Sequence, residues 1–213
     1  MDQLPIWLTI ENRDVLVVGG GGMAVAKARI AAIAGANVTF VAPSIGSEAK
    51  GLIAAGTALH VAREFLPQDI EGQALVFAAT GIEPVDAAVA AAANRANVPV
   101  NAPDRPNLSE FIMPAIVDRG PVVVGISTGG SAPALARKIR GQIDSILPAR
   151  LGDLAHLAND FRAAVKAKIP RGLARLRFWD ALFGGPVAEA VLAGDERAAQ
   201  RHFLRSLNAE DAQ

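Results

Sequence analysis

Four consecutive glycines at residues 19–22 stand between a short apolar run and a helical pattern. The segment Asp14–Val18 is predicted to be a buried strand, because four apolar residues follow the aspartate without interruption. A strand that enters a glycine turn and leaves directly into a helix restricts the fold, since this is how a nucleotide-binding βαβ unit begins. The predicted helix presents one apolar side, made of Met23, Ala26, Ile30 and Ile33.

The glycine spacing follows the dinucleotide fingerprint with alanine in the third place, as Gly19-x-Gly21-x-x-Ala24. The first glycine permits the tight turn, the second lets the backbone approach a pyrophosphate, and the small third residue lets the helix pack close to the strand. The helix N-terminus then offers free N–H groups to the phosphates. A glycine turn without a ligand is the alternative. Gly35 closes the predicted helix and a second strand follows at Asn37–Val41, which favours nucleotide binding.

The end of that second strand departs from the fingerprint. The acidic residue that usually bonds the ribose is absent, and Pro43 and Ser44 stand there instead. Ser44 can bond the ribose, and no Arg or Lys is present at the strand end to receive a 2′-phosphate. The sequence therefore predicts NAD rather than NADP. The candidate cofactor-binding residues are Gly19, Gly21, Gly22, Met23, Ala24, Pro43, Ser44 and Thr80.

Strand and helix patterns alternate through the first half of the chain, which predicts an α/β fold with a Rossmann-type, doubly wound parallel sheet. Ligands of such sheets lie beyond the carboxyl ends of the strands. His60 lies in one predicted strand and is interpreted as a structural or surface histidine. The predicted elements are strands at 4–9, 57–63, 74–79 and 98–101 and helices at 47–55 and 83–96.

The pattern changes after Asp104. Residues 111–117 and 121–127 predict two antiparallel strands, and a second glycine turn opens a helix at 134–146. That turn is either an anion site or a plain helix start with Ser131 as N-cap. Helices are predicted at 148–168, 172–183, 186–193 and 195–207. The expected domains are a nucleotide-binding domain (1–110), a small central segment (111–147) and an α-helical C-terminal domain (148–213).

Composition excludes several classes of function. The chain has no cysteine, so disulfides, thiolate metal sites and cysteine nucleophiles are excluded. Its 213 residues carry no formal net charge, which gives no overall attraction to nucleic acid or membranes. The first residues do not form a signal peptide, and no apolar run is long enough to cross a membrane. We therefore expect a cytoplasmic protein with no nucleic-acid or membrane partner.

Charge is unevenly distributed along the chain. Residues 137–177 contain ten Lys/Arg and three Asp, a net charge of +7, whereas the remainder has 11 basic and 18 acidic residues, a net charge of −7. This basic segment indicates either a polyanionic ligand or solvated helix faces.

The chain resembles the precorrin-2 dehydrogenase/sirohydrochlorin ferrochelatase module of siroheme synthase over essentially its whole length. The blocks 111–119 (FIMPAIVDR) and 127–133 (STGGSAP) are specific to that family among Rossmann proteins. The other matching features are Met1-Asp2-x-Leu4-Pro5-Ile6, VVGGGGMAVAKAR at 17–29, Ala78-Ala79-Thr80, Asn101-x-x-Asp104, ALAR at 134–137 and Arg177-Phe178-Trp179.

The resemblance implies NAD-dependent oxidation of precorrin-2 to sirohydrochlorin and, in many members, insertion of ferrous iron as a substrate to give siroheme. It implies a homodimer formed through segment 111–147 and the C-terminal helices, and it makes Asp104 the essential acid of both reactions. Gly22 replaces an acidic or polar residue of the family, and Thr128 replaces a serine that is phosphorylated in some members. The candidate substrate-binding residues are Asn101, Ser127, Thr128, Gly129, Gly130 and Arg137.

Three alternatives stay open at this point: a bifunctional enzyme, a dehydrogenase without chelatase activity, and a non-catalytic module that binds NAD and a tetrapyrrole. A carboxylate at the end of a strand beside the cofactor favours catalysis, because a sensor does not need one. The tetrapyrrole carries many carboxylates, so the resemblance favours a ligand for the basic segment. No permanently held metal is expected.

Overall fold

A computed structural model describes residues 3–209, with side chains described to residue 208. Met1 and Asp2, which open the family-like N-terminus, lie outside the described residues. The chain forms two compact units, the first ending at Met113 and the second beginning at Pro114. The further division of the second unit at residue 147 stays a prediction.

The first unit contains a five-stranded parallel sheet in the order β3-β2-β1-β4-β5. Helices lie on both faces, which confirms the predicted doubly wound α/β fold, and short 3₁₀ turns occupy Pro67–Ile70 and Pro106–Leu108. The strands are β1 Asp14–Val18, β2 Asn37–Val41, β3 Ala58–Val61, β4 Leu75–Ala78 and β5 Val100–Asn101, and the helices are α1 Gly22–Ile33, α2 Ser47–Ala54 and α3 Glu83–Ala96.

Alternate residues of the central strand β1 enter two different cores. Val15 and Val17 pack with Phe40 in a core that includes α1 and α2. Leu16 and Val18 pack in a second core that includes the alanine-rich α3. All four of these β1 residues are buried, as expected of a strand covered on both faces. The central strand is therefore packed on both faces up to its carboxyl end.

Two sequence predictions for this unit are wrong. Residues 4–9 form no strand, and their large apolar side chains are exposed, because no described strand lies beside them to provide a hydrogen-bonding edge. The side of α1 that carries Met23 and Ile33 faces solvent. Small residues form the buried side instead, since the glycine turn brings this helix close to the sheet. The buried residues of α1 are Ala24, Val25, Ala28 and Ala31.

The second unit begins with an antiparallel strand pair and continues as helices. The predicted pairing is confirmed, with Ala115 opposite Ile126 and Arg119 opposite Val122. The first strand starts at residue 115 rather than 111, because Phe111 and Met113 pack against the core of the first unit to which they belong. The elements are β6 Ala115–Arg119, β7 Val122–Ile126, α4 Pro133–Ile146, α5 Leu151–Asp160, α6 Arg162–Lys168, α7 Leu173–Phe183, α8 Pro186–Ala193 and α9 Glu196–Ala209.

An aromatic core holds the C-terminal helices together. Phe203 stacks on Phe161 with ring centroids 4.0 Å apart and meets Phe178 edge to face at 6.0 Å. The helix predicted at 148–168 is two helices, α5 and α6, which meet at Phe161. The prediction of Ser131 as an N-cap is wrong. Ala132 is the N-cap of α4, and the Ser131 hydroxyl donates to the Thr128 carbonyl at 2.6 Å instead.

Candidate cofactor and catalytic site

The loops that follow β1, β2, β4 and β5 are joined at the carboxyl edge of the sheet. The Gly46 N–H donates to the Gly20 carbonyl at 3.0 Å, which ties the second loop to the glycine loop. The Arg105 guanidinium donates to the Gly81 carbonyl at 3.3 Å, which ties the fourth loop to the third. The structure therefore brings the predicted cofactor-binding residues, Asn101 and Asp104 to one edge.

The glycine loop divides into two parts with different roles. Gly19 has a φ of +122°, and a Cβ atom there would overlap the Ala79 carbonyl group. A Cβ atom at Gly20 would overlap the Ser44 carbonyl oxygen. By contrast, nothing lies within 4 Å of the Cβ positions of Gly21 and Gly22. The first two glycines are therefore needed for loop packing, and the next two border open space.

The start of α1 fits a pyrophosphate group. Gly21 is the N-cap and no side chain caps this helix, so the N–H groups of Gly22, Met23 and Ala24 have no partner within it. These N–H groups, the helix dipole and the open space beside Gly21 make an anion site. The Ala24 side chain is fully buried against the sheet, so it contributes close packing and its backbone N–H.

A cleft of about 780 Å³ lies beside the end of β2. Pro43 and Ser44 line it, in the position where the fingerprint places the cofactor ribose. His60 on β3 has Nε2 2.9 Å from the Ala42 carbonyl oxygen, which agrees with its predicted structural role. Sequence analysis missed Lys50 of α2, which also lines the cleft. Its position in the helix that follows the ribose loop is the signal that could have identified it.

Thr80 is held by a buried carboxylate that sequence analysis also missed. The backbone N–H and the hydroxyl of Thr80 donate to Asp86 Oδ1 at 3.0 and 2.6 Å. Asp86 lies in the first turns of α3 and is only 2% exposed. Its Oδ2 atom lies 3.4 Å from Nε of Arg105. The signal was the single acid on the apolar side of an alanine-rich helix.

Asp104 occupies a strained position in a tight turn. The Arg105 N–H donates to the Ala102 carbonyl at 3.1 Å, so Pro103 and Asp104 are the central residues of the turn. The φ of Asp104 is +63°, a conformation that glycine and asparagine adopt more readily. Its side chain is exposed and makes no hydrogen bond or ion pair with any described residue. The carboxylate is therefore free to meet a ligand.

Lys27 of α1 lies within electrostatic range of Asp104. Burial lowers the pKa of the half-buried Lys27 ammonium below its usual value, and the Asp104 carboxylate partly raises it again. The lysine lies four residues after Met23, on the turn of α1 that follows the anion site. Nothing in the sequence alone linked Lys27 to Asp104, because 77 positions separate them.

Asn101 ends β5 and is 6% exposed. Its Nδ2 atom donates to the Phe111 carbonyl at 2.9 Å, which fixes the amide orientation. Its Oδ1 atom is buried and has no hydrogen-bond partner among the described residues. An unpaired buried acceptor is unfavourable by about 1–3 kcal/mol, so Asn101 is under a constraint that packing alone does not explain.

The other predicted substrate-binding residues belong to the second unit. Gly129 and Gly130 have φ values of +63° and +83°, and nothing fills the space beside either one. The Ser127 hydroxyl accepts a hydrogen bond from the Gly129 N–H at 3.1 Å, and the Thr128 hydroxyl accepts one from the Ala132 N–H at 3.2 Å. Arg137 follows on the exposed side of α4.

Residues of the basic segment have two different environments. Some bond to their own unit: Arg140 donates to the Ile116 carbonyl, Arg150 pairs with Asp153, and Arg175 donates to the Ile169 carbonyl. Others have exposed side chains that make no hydrogen bond or ion pair with any described residue. These are Arg137, Lys138, Arg162, Lys166, Arg171 and Arg177. The side chains of this second group are therefore the ones that a ligand could meet without breaking a bond within the described residues.

Residues 3–209, with side chains described to residue 208, contain no group of three or more His, Cys, Asp or Glu side chains arranged to hold a metal ion. No helix among them is long and apolar enough to span a membrane.

Comparison with known proteins assigns the chain to a family. Residues 6–115, more than half of the chain, match the model of a putative NAD(P)-binding family. The chain belongs to that family. Residues 119–146 match the central region of sirohaem biosynthesis proteins, and residues 150–207 match the sirohaem synthase dimerisation region. The recognition of a siroheme synthase N-terminal module and of an NAD(P)-binding domain is therefore confirmed.

Longer curated proteins contain a segment similar to this chain. The siroheme synthase of Nitrosomonas eutropha is 42% identical over 98% of this chain and 44% of its own length. That of Stutzerimonas stutzeri is 46% identical over 97% of this chain and 44% of its own length. The chain thus spans less than half the length of these relatives.

A solved structure shares the fold. The precorrin-2 dehydrogenase SirC superposes with a TM-score of 0.71 over 97% of this chain and 100% of its own, at 20% identity. The predicted succession of a Rossmann-type sheet and helical segments is confirmed by this match.

Proposed function

We propose that this chain oxidises precorrin-2 to sirohydrochlorin with NAD as the hydride acceptor. The observation that carries the proposal is the position of Asp104, an exposed and unpaired carboxylate, at the same sheet edge as an open glycine loop. A sensor that only bound ligands would not need an unpaired acid on a strained turn. The family membership and the names of the relatives, siroheme synthase and precorrin-2 dehydrogenase, support the choice of substrate.

The chain's own residues hold the reactants and move the proton. The N–H groups of Gly22, Met23 and Ala24 would bind the pyrophosphate of NAD, and Pro43 and Ser44 would contact its adenosine ribose. Bound NAD would supply the hydride acceptor for the oxidation. Asp104 accepts the proton that the tetrapyrrole loses in the same oxidation and returns it to water. Substrate loses two electrons and two protons in total, so the reaction balances as hydride plus proton.

The proposed substrate-binding residues form two groups, each described within its own unit: Asn101 in the first unit and the others in the second. Asn101, with its unpaired Oδ1, is a ready acceptor for a polar hydrogen of the substrate. We propose that a polar group of the substrate lies beside the Ser127 hydroxyl, where Gly129 and Gly130 leave open space, and that Arg137 supplies positive charge for the substrate carboxylates. The proposed substrate-binding residues are Asn101, Ser127, Thr128, Gly129, Gly130 and Arg137.

NAD rather than NADP remains our proposal, although Lys50 lines the cleft beside Ser44. No other basic residue lines that cleft except the half-buried His60, within the described part of the chain. A single exposed lysine does not form the guanidinium clamp that 2′-phosphate recognition commonly uses.

The absence of cysteine suits the reducing cytoplasm, where we propose that the protein acts.

A homodimer is also proposed. Residues 150–207 match a dimerisation region, and α4 leaves Leu135 and Ile146 at least half exposed within the described unit. Large exposed apolar side chains on one amphipathic helix favour association with a second copy. Sedimentation at micromolar concentration should give twice the chain mass, and a monomer would contradict the proposal.

Insertion of ferrous iron into sirohydrochlorin is a second candidate activity. It requires removal of two pyrrole N–H protons as the metal, a substrate here, enters the ring. An exposed carboxylate without an internal partner favours this step, and Asp104 meets that description. The name siroheme synthase, carried by the relatives, supports it. The remaining alternatives are a dehydrogenase without chelatase activity and a non-catalytic module that binds NAD and a tetrapyrrole.

Anaerobic incubation tests both activities with the purified chain. Precorrin-2 and NAD should yield sirohydrochlorin and one NADH for each molecule oxidised, and omission of NAD should stop the reaction. Addition of ferrous iron should then give siroheme faster than iron and sirohydrochlorin without protein. A chain that binds NAD but produces neither NADH nor sirohydrochlorin would contradict the proposed dehydrogenase and favour a binding module.

A further inference from the structure

A buried carboxylate links the cofactor loop to the turn that presents Asp104. One oxygen of Asp86 accepts both hydrogen bonds from Thr80, and the other oxygen lies 3.4 Å from Arg105 Nε. Asp86 is 2% exposed, so it sits where an unpaired carboxylate would be strongly disfavoured. These partners therefore hold the carboxylate, and the carboxylate in turn fixes both of them.

Arg105 is held from three directions. Besides its approach to Asp86, its Nη1 atom lies 3.0 Å from a carboxylate oxygen of Glu83, and its Nη2 atom donates to the Gly81 carbonyl. Arg105 directly follows Asp104 and closes its turn through the bond from its N–H to the Ala102 carbonyl. Arg105 therefore restrains the turn in two ways, through its backbone N–H bond to Ala102 and through its fixed guanidinium group.

The turn needs such restraint because its backbone is strained. Asp104 has a φ of +63°, a left-handed conformation that is unfavourable for most residues with a side chain. Ser109 supports the same loop, since its hydroxyl accepts from the Ala102 N–H at 2.9 Å and lies 3.0 Å from the Arg105 carbonyl oxygen. Without Arg105 held in place, the loop can relax and move the Asp104 carboxylate.

We infer that Asp86 and Arg105 form a positioning pair that sets the Asp104 carboxylate and the Thr80–Gly81 cofactor loop in one fixed arrangement. This inference rests on the proposed function, in which Asp104 takes the proton while the cofactor lies against that loop. Neither residue of the pair touches the reacting atoms. Their role is to keep the base and the cofactor loop at a constant separation, on which the rate depends steeply.

The chain offers a matched control for this pair. Asp69 also has a nearly buried side chain, accepts a backbone N–H, from Leu66, and pairs with an arginine, Arg63. That pair lies in the loop before β4 and has no bond to the cofactor loop or to the Asp104 turn. Asp69→Asn therefore breaks a similar ion pair within the same unit, where only stability should change.

The test compares Asp86→Asn, Arg105→Gln, their double variant and Asp69→Asn. We expect Asp86→Asn and Arg105→Gln each to lower kcat by about 10- to 100-fold and to weaken NAD binding several-fold in calorimetry. The double variant should lose no more than the worse single variant, because the two residues act as one unit. Arg105→Lys, which keeps the charge, should recover part of the rate. Asp69→Asn should keep the wild-type kcat and NAD affinity even where its melting temperature falls.

Two results would overturn the inference. In the first, Asp86→Asn and Asp69→Asn have kcat values and NAD affinities within twofold of each other when the two variants are equally stable. The other is a double variant whose losses multiply. If the wild type does not oxidise precorrin-2, the proposed function fails, but NAD calorimetry on the same four variants still tests the coupling of the pair to the cofactor loop. Equal NAD affinities across them would then overturn it.

Discussion

Gly19, at the end of β1, packs directly against the carbonyl group of Ala79, at the end of β4, and no Cβ atom fits between them. The contact fixes the glycine loop to the central strands before any cofactor binds. Because the φ of Gly19 is also +122°, a side chain there would be unfavourable both through overlap with Ala79 and through its backbone conformation.

Gly19→Ala should therefore destabilise the protein, whereas Gly21→Ala should not. The expected loss for Gly19→Ala is about 1–3 kcal/mol, from overlap with a backbone group that cannot rotate away. Gly21 has an extended backbone and open space at its Cβ position. Urea denaturation without cofactor measures both, and equal midpoints would show that the two glycines do not differ in their structural roles.

Gly21→Asp should abolish NAD binding while leaving the protein folded. Its side chain would enter the open space at the start of α1 and bring negative charge to the place proposed for the pyrophosphate. Gly51→Asp is the matched control, because Gly51 lies in α2 with equally open space around it. Calorimetry should show binding to the control only, and wild-type affinity in folded Gly21→Asp would remove the anion site from this helix.

The titration of Lys27 should report on Asp104. Burial holds the pKa of Lys27 below 10.5, so the folded protein releases this proton more readily than the unfolded chain, and stability should rise as pH increases from that lowered pKa towards 10.5. Asp104 opposes the shift. Asp104→Asn should therefore move the Lys27 titration to lower pH, followed by NMR of the labelled lysine Nζ. An unchanged titration would show that the two charges do not interact.

Charge reversal of Arg137 and Lys138 should raise the KM for precorrin-2 and leave NAD affinity unchanged. Both side chains are exposed and unpaired within the described residues, so they are available to substrate carboxylates. Charge reversal of Arg201 and Arg205 on α9 is the control, because it changes the net charge by the same amount outside the basic segment. In the wild type, KM should rise with salt, since exposed charges are screened over about 8 Å at physiological ionic strength. A KM that does not change with salt would favour the other interpretation of the basic segment, in which its charges only solvate helix faces.

Local sequence patterns were sufficient to predict most of the sheet. The limits of β1, β2 and α3 follow from apolar runs bounded by glycine, asparagine and proline, whose effects on the backbone are local. The positions of the largest apolar side chains did not predict the buried side of α1, because close packing of this helix on the sheet favours alanine over isoleucine there. The pairing of Asp86 with Arg105 depends on how two strand ends meet in space, which no local pattern records.

The family-like spacing Asn101-x-x-Asp104 predicted the acid of the candidate site, but not its geometry. The positive φ of Asp104 arises from a turn closed by Ala102 and Arg105, and the proline before it sets the first central position. An aspartate in a turn commonly accepts a hydrogen bond from its own backbone. The structure leaves its carboxylate unbonded, because the turn directs the side chain into solvent.

We propose that Asp104 takes a proton from precorrin-2 during its oxidation by NAD. Asp104→Asn is the sharpest variant, since asparagine accepts the left-handed conformation and keeps the side-chain shape while losing the basic oxygen. The decisive measurement is the anaerobic initial rate of NADH formation with saturating precorrin-2 and NAD. We predict a fall of about 10²–10⁴-fold with unchanged NAD affinity and melting temperature. A wild-type rate in the folded variant would contradict the claim.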